Sequence, residues 1–67
     1  MFVKATQVGP EGFDPRIVLI NLEHVEMIRS AHEDDGPDAR TVIYFASLPD
    51  EPILIAEAMT IFDRLVA

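Results

Sequence analysis

Residues 20–28 read INLEHVEMI. An asparagine breaks the apolar run that starts at Ile17, and a histidine then stands between two glutamates. The cluster reads either as a polar site or as a corner between two strands. Asn21 favours the corner, because a short amide side chain can accept from backbone N–H groups two or three residues ahead. One turn through Leu22, Glu23 and His24 would then join a strand ending at Asn21 to a second beginning near His24. Leu22, Val25 and Ile28 would point inward from that corner.

The segments on either side fit the same scheme. "FVKATQV" (2–8), "RIVLI" (16–20), "HVEMIRS" (24–30), "RTVIYFAS" (40–47) and "ILIA" (53–56) are short and rich in β-branched and aromatic residues, as strands are. Glycine and proline mark the breaks at "GPEGFDP" (9–15) and "HEDDGPDA" (32–39). "SLPDEP" (47–52) also reads as a break, since Pro49 and Pro52 cannot donate to a ladder from inside a central strand. At the end, Ala58, Ile61, Phe62 and Leu65 recur at helical spacing in "EAMTIFDRLVA" (57–67), which predicts an amphipathic helix of about three turns. The predicted class is α+β: a single domain, 1–67, with a small meandering antiparallel sheet of about five short strands and one C-terminal amphipathic helix.

The strands carry apolar residues on both faces. Val42, Tyr44 and Ala46 oppose Ile43 and Phe45, and Ile17 and Leu19 oppose Val18 and Ile20. One helix covers one face. The other face must close on itself as a barrel or meet another subunit.

Composition narrows the function classes. At 67 residues the core supplies only a few kcal/mol, and such scaffolds usually add disulfides, a metal or oligomerisation. The chain has no cysteine, which removes disulfides and thiolate metal sites and leaves oligomerisation. No apolar run approaches the roughly 20 residues of a membrane span, and "MFVKATQ" lacks the plan of a signal peptide, so a soluble cytoplasmic protein is expected. Net charge is −7, and Lys4, Arg16, Arg29, Arg40 and Arg64 are scattered along the chain. Nucleic-acid binding needs a basic patch that this distribution does not supply, and anionic membranes would repel the chain.

Few residues suggest chemistry. His24 with Glu23 and Glu26, joined by His32, is the one set resembling metal ligands, but a catalytic zinc usually takes three protein ligands and one stretch offers two. Glu33, Asp34, Asp35 and Asp38 lack the spacing of a calcium loop and read as a solvated hairpin tip. Ser30 and Ser47 have no nucleophile-elbow context, and no phosphate-binding glycine loop is present. No catalytic, cofactor-binding or metal residue is assigned, and no small-molecule substrate is expected.

Asn21, Val25 and Ile28, "TVIYF" (41–45) and "ILIAEAMTIFDRL" (53–65) together resemble the small bacterial FlbD-like proteins, over nearly the whole chain. Departures are the longer loops at 9–15 and 32–39, the greater acidity, and Glu57-Ala58 where the family usually has Glu-Ser. The resemblance implies a sheet-plus-helix domain of the bacterial cytoplasm and brings no catalytic residues. The expected function is a non-enzymatic, self-associating interaction or regulatory module, its partner itself or another protein. Two alternatives stand beside it. One is a small nucleic-acid-binding regulator resembling the carbon-storage regulators; the other is a metal or small-ligand binder using His24, Glu26 and His32.

Overall fold

The computed structural model describes residues 1–10 and 12–63. Five strands form one antiparallel sheet: β1 (Phe2–Val8), β2 (Arg16–Asn21), β3 (Val25–Ser30), β4 (Thr41–Phe45) and β5 (Leu48–Ile55). Their order across the sheet is β2-β1-β5-β4-β3. Strands β2 and β3, consecutive in sequence, are therefore its two outer edges.

That order dictates curvature. Four strand spacings of about 4.8 Å would put the edges roughly 19 Å apart in a flat sheet. The connection is the 3-10 turn Leu22–His24, which rises only about 2 Å per residue. The sheet must therefore coil until its edges converge at this corner. The corner is also tied to both ladders: the Leu22 N–H donates to the Met1 carbonyl at 2.9 Å, and the Ala46 N–H donates to the His24 carbonyl at 3.0 Å. Asn21 acts as expected, its Oδ1 accepting the Glu23 N–H at 3.1 Å.

Coiling creates an inner face. Ala5, Ile20, Ile43, Ile55 and Phe62 form the buried cluster, with Leu22, Val25 and Ile28 packed on it from the corner and β3. Each fully buried isoleucine contributes about 1.5–3 kcal/mol of transfer free energy. Thr41, a buried polar residue, is satisfied by donating its hydroxyl to the Glu57 carbonyl at 2.6 Å. Glu57 also extends the β1–β5 ladder, since its Oε1 accepts the Thr6 N–H at 2.8 Å while the Ala56 N–H donates to the Thr6 carbonyl.

Two sequence expectations are corrected. The fold is mostly β rather than α+β: where a C-terminal helix is predicted, residues Met59–Phe62 form a 3-10 turn. The physical reason is local. Ala58 at the N-cap offers no side chain to the first free N–H groups, and Thr60, Ile61 and Phe62 are weak helix formers. A helix of 11 residues is also below the length that sustains itself without strong packing. Phe62 nevertheless reaches the core, with Ile61 packed beside it, so the inward side of the expected stripe is right to that extent. Leu65 and the rest of 64–67 lie outside the described residues.

The second correction concerns Pro49 and Pro52, which lie inside β5 rather than in a break. They are tolerated because β5 is partnered poorly there. Strand β1 pairs with β5 only at Leu54 and Ile55, and the β4 register slips between Ile43, opposite Ile53, and Phe45, opposite Leu48. The prolines occupy the slipped stretch, where no regular ladder asks for their missing N–H.

Candidate functional site

The second face of β4 is neither a barrel interior nor bare. Val42 points away from the main core yet is fully buried. The chain's own 31–40 loop is tied to this face, through Arg29 and beside Leu54, which pairs with Val42. Arg29 on β3, across from Val42, pairs with Asp35 at Nη1–Oδ2 2.8 Å and Nη2–Oδ1 3.1 Å, and its Nε donates to the Tyr44 hydroxyl at 3.2 Å. Asp35 also accepts the His32 N–H at 2.7 Å, which closes the 3-10 turn Glu33–Asp35. The Arg29 hydrogen bonds and the His32 N–H together lower the Asp35 carboxyl to about 2, while the same pairing with Asp35 raises the Arg29 pKa further. The loop then passes through Gly36 at φ +131°, where a Cβ would come within 3.6 Å of the Gly9 carbonyl and 3.9 Å of Leu54. Asp35 is thus an anchor of the loop rather than part of a solvated tip.

Among the described residues, the outer face of β1 and β2 has no such cover. Phe2, Ile17 and Leu19 are 63%, 63% and 68% exposed. The register sets Leu19 opposite Lys4 and Ile17 opposite Thr6, with Phe2 opposite Asn21. All six share one face, by strand alternation. Neither strand contains an acidic residue, although the chain carries twelve.

The same strand exposes its backbone. Both polar groups of Thr6 turn toward β5 and Glu57, so Thr6 and Ile17 form a non-hydrogen-bonded pair of the β1–β2 ladder. Alternation then places the N–H and C=O of Ile17 and Leu19 on the open edge of the sheet. The Leu22 bond to Met1 fits the same alternation.

The two edges differ sharply. Strand β3 carries Glu26 and Arg29, its register shifts between Val25 and Met27, and the 59–62 turn lies against it, with the Ser30 hydroxyl 3.1 Å from Met59 Sδ. Charges, irregular pairing and covering segments are the usual protections of an edge strand. Strand β2 pairs regularly over six residues and has only apolar residues between Arg16 and Asn21.

The residues singled out for metal chemistry are placed apart in role. His24 and Glu23 lie exposed in the corner turn, Glu26 is exposed on β3, and His32 begins the following loop. Among the described residues, no group of three or more His, Asp or Glu side chains is arranged to hold a metal ion. Ser47 sits in the β4–β5 turn. Among the described residues no helix is long and apolar enough to cross a membrane.

Sequence patterns pointed to two apolar faces but not to which would stay open. The missed signal is "RIVLIN" itself, an acid-free strand in a chain of net charge −7. Comparisons with models of protein families, with curated proteins and with solved structures find no match for this chain.

Proposed function

We propose that this chain is a non-enzymatic, self-associating interaction module. One observation carries the proposal: Phe2, Ile17 and Leu19 stand more than 60% exposed on one face of adjacent strands. Large apolar side chains grouped on one exposed face mark interaction surfaces more often than singly scattered ones do. A core this small also gains from association, which stabilises the folded state by mass action. A bacterial cytoplasmic setting and kinship with FlbD-like proteins belong to the same proposal, and rest on the sequence resemblance alone.

Light scattering coupled to size-exclusion chromatography tests it. The expected mass rises above the 7.5 kDa of one chain as loading concentration increases. A mass that stays at one chain up to the solubility limit overturns the proposal.

A further inference from the structure

Resting on that self-association, we infer that the partner is a second copy of this chain and that the two join through antiparallel pairing of their β2 edges, making one continuous sheet across a two-fold axis.

Three features of β2 converge on this geometry. The first is the backbone. Ile17 and Leu19 each direct an N–H and a C=O to the open edge, and a two-fold operation presents the same groups in reverse order. A register centred on Leu19 sets Leu19 against its own copy and Ile17 against the partner's Asn21. Each edge residue then exchanges hydrogen bonds with its opposite number. Pro15, which cannot donate, falls beyond the paired stretch.

The second feature is charge. Two chains of net charge −7 repel, so contact is least opposed where acids are absent. Strands β1 and β2 hold Lys4 and Arg16 and no acid, so all 12 acids and the remaining three bases lie elsewhere. Opposite charges also flank the apolar run of β2, with Arg16 at its start and Glu23 in the turn just past its end. Antiparallel pairing brings the start of one strand to the end of the other. Arg16 then sits across from the partner's Leu22, one residue from the partner's Glu23, and the relation occurs twice by symmetry. Asp14, two residues before Arg16, lies beyond Pro15 and outside the strand.

The third is the contrast between edges. Strand β3 is guarded by charges inside the strand, a register shift and the 59–62 turn, whereas β2 pairs regularly and carries its one charge, Arg16, at its first residue. An unguarded, regular, apolar edge is a template for strand pairing. Pairing places Ile17 and Leu19 of both copies together on the outer face, where cross-strand apolar pairs stabilise a sheet. The seam is short, below the roughly 800 Å² per partner of a standard interface, so the dimer is weak and dissociates on dilution.

Sedimentation velocity on the full chain and two variants tests the inference. Leu19→Lys sets two ammonium groups directly opposite at the seam, which strand pairs do not tolerate well. Its side chain is 68% exposed in the single chain, so the fold keeps its core. Met27→Lys makes the same change on β3, where Met27 is 47% exposed. Support is a dimeric parent, a dimeric Met27→Lys and a Leu19→Lys whose dissociation constant rises at least tenfold. A dimeric parent whose Leu19→Lys variant associates equally well overturns the β2 seam and leaves self-association standing. A parent that is monomeric at every concentration overturns both. Should Leu19→Lys melt early, hydrogen exchange of the parent decides instead. Amides of Ile17 and Leu19 must lose protection on dilution, and unchanged protection rejects the seam.

Discussion

The Asn21 carboxamide oxygen accepts the Glu23 N–H at 3.1 Å and so caps the corner through which the two edges of the sheet are joined. Because the connecting turn is only three residues long, the corner also sets how tightly the sheet coils. Asn21→Ala is expected to lower stability by about 1 kcal/mol, the scale of a lost N-cap. Urea denaturation followed by circular dichroism measures it. A midpoint equal to the parent's would mean that the turn holds without its cap.

The path of the 31–40 loop depends on Gly36. At φ +131° a side chain is strained whatever space surrounds it. Gly36→Ala is expected to cost about 1–3 kcal/mol, the range for a residue forced into a sparsely populated backbone region. The same denaturation experiment reads it, and a gain in stability would show that the loop adopts another backbone path.

The Arg29–Asp35 pair gives a pH signature. Asp35 is depressed from its ordinary 3.8 to about 2 in the folded chain, so folding favours its ionised form. Its contribution is whole above about pH 4 and is lost as the folded group protonates toward pH 2. Thermal melts of the parent and of Asp35→Asn, compared from neutral pH down to that window, isolate the effect. The gap between the two melting temperatures should be constant above about pH 4 and shrink below it. A gap that widens as pH falls would contradict the sign.

Phe62 tests the correction at the C-terminal end. It is 4% exposed and belongs to the core although it lies in a 3-10 turn. Phe62→Ala is expected to cost about 3–5 kcal/mol, comparable to the whole margin of so small a domain. Loss of a cooperative melt at ambient temperature is the predicted outcome, and a shift of only a few degrees would place Phe62 outside the core.

Much of the sheet was legible because its signals are local. The asparagine corner follows from one short amide, and β1 to β4 follow from β-branched runs bounded by glycine and proline. The C-terminal stripe misled because periodicity shows which side chains turn inward, not whether the backbone can sustain a helix; Ile61 and Phe62 do pack inward, from a turn. Prolines misled in the opposite sense. Pro49 and Pro52 forbid only a regular ladder, and β5 has none at those positions. Which apolar face stays open was hidden for a longer-range reason. The 31–40 loop is held to its face by Arg29 and Asp35 meeting across a turn, whereas among the described residues the strand order brings no segment over Ile17 and Leu19.

Amide chemical shifts recorded over a concentration series test self-association at β2 most directly. Rising concentration should move the resonances of residues 16–21, with smaller changes at Phe2, Lys4 and Thr6, while β3 stays fixed. Shifts confined to β3 or to the 31–40 loop, or spectra that do not change with concentration, would contradict it.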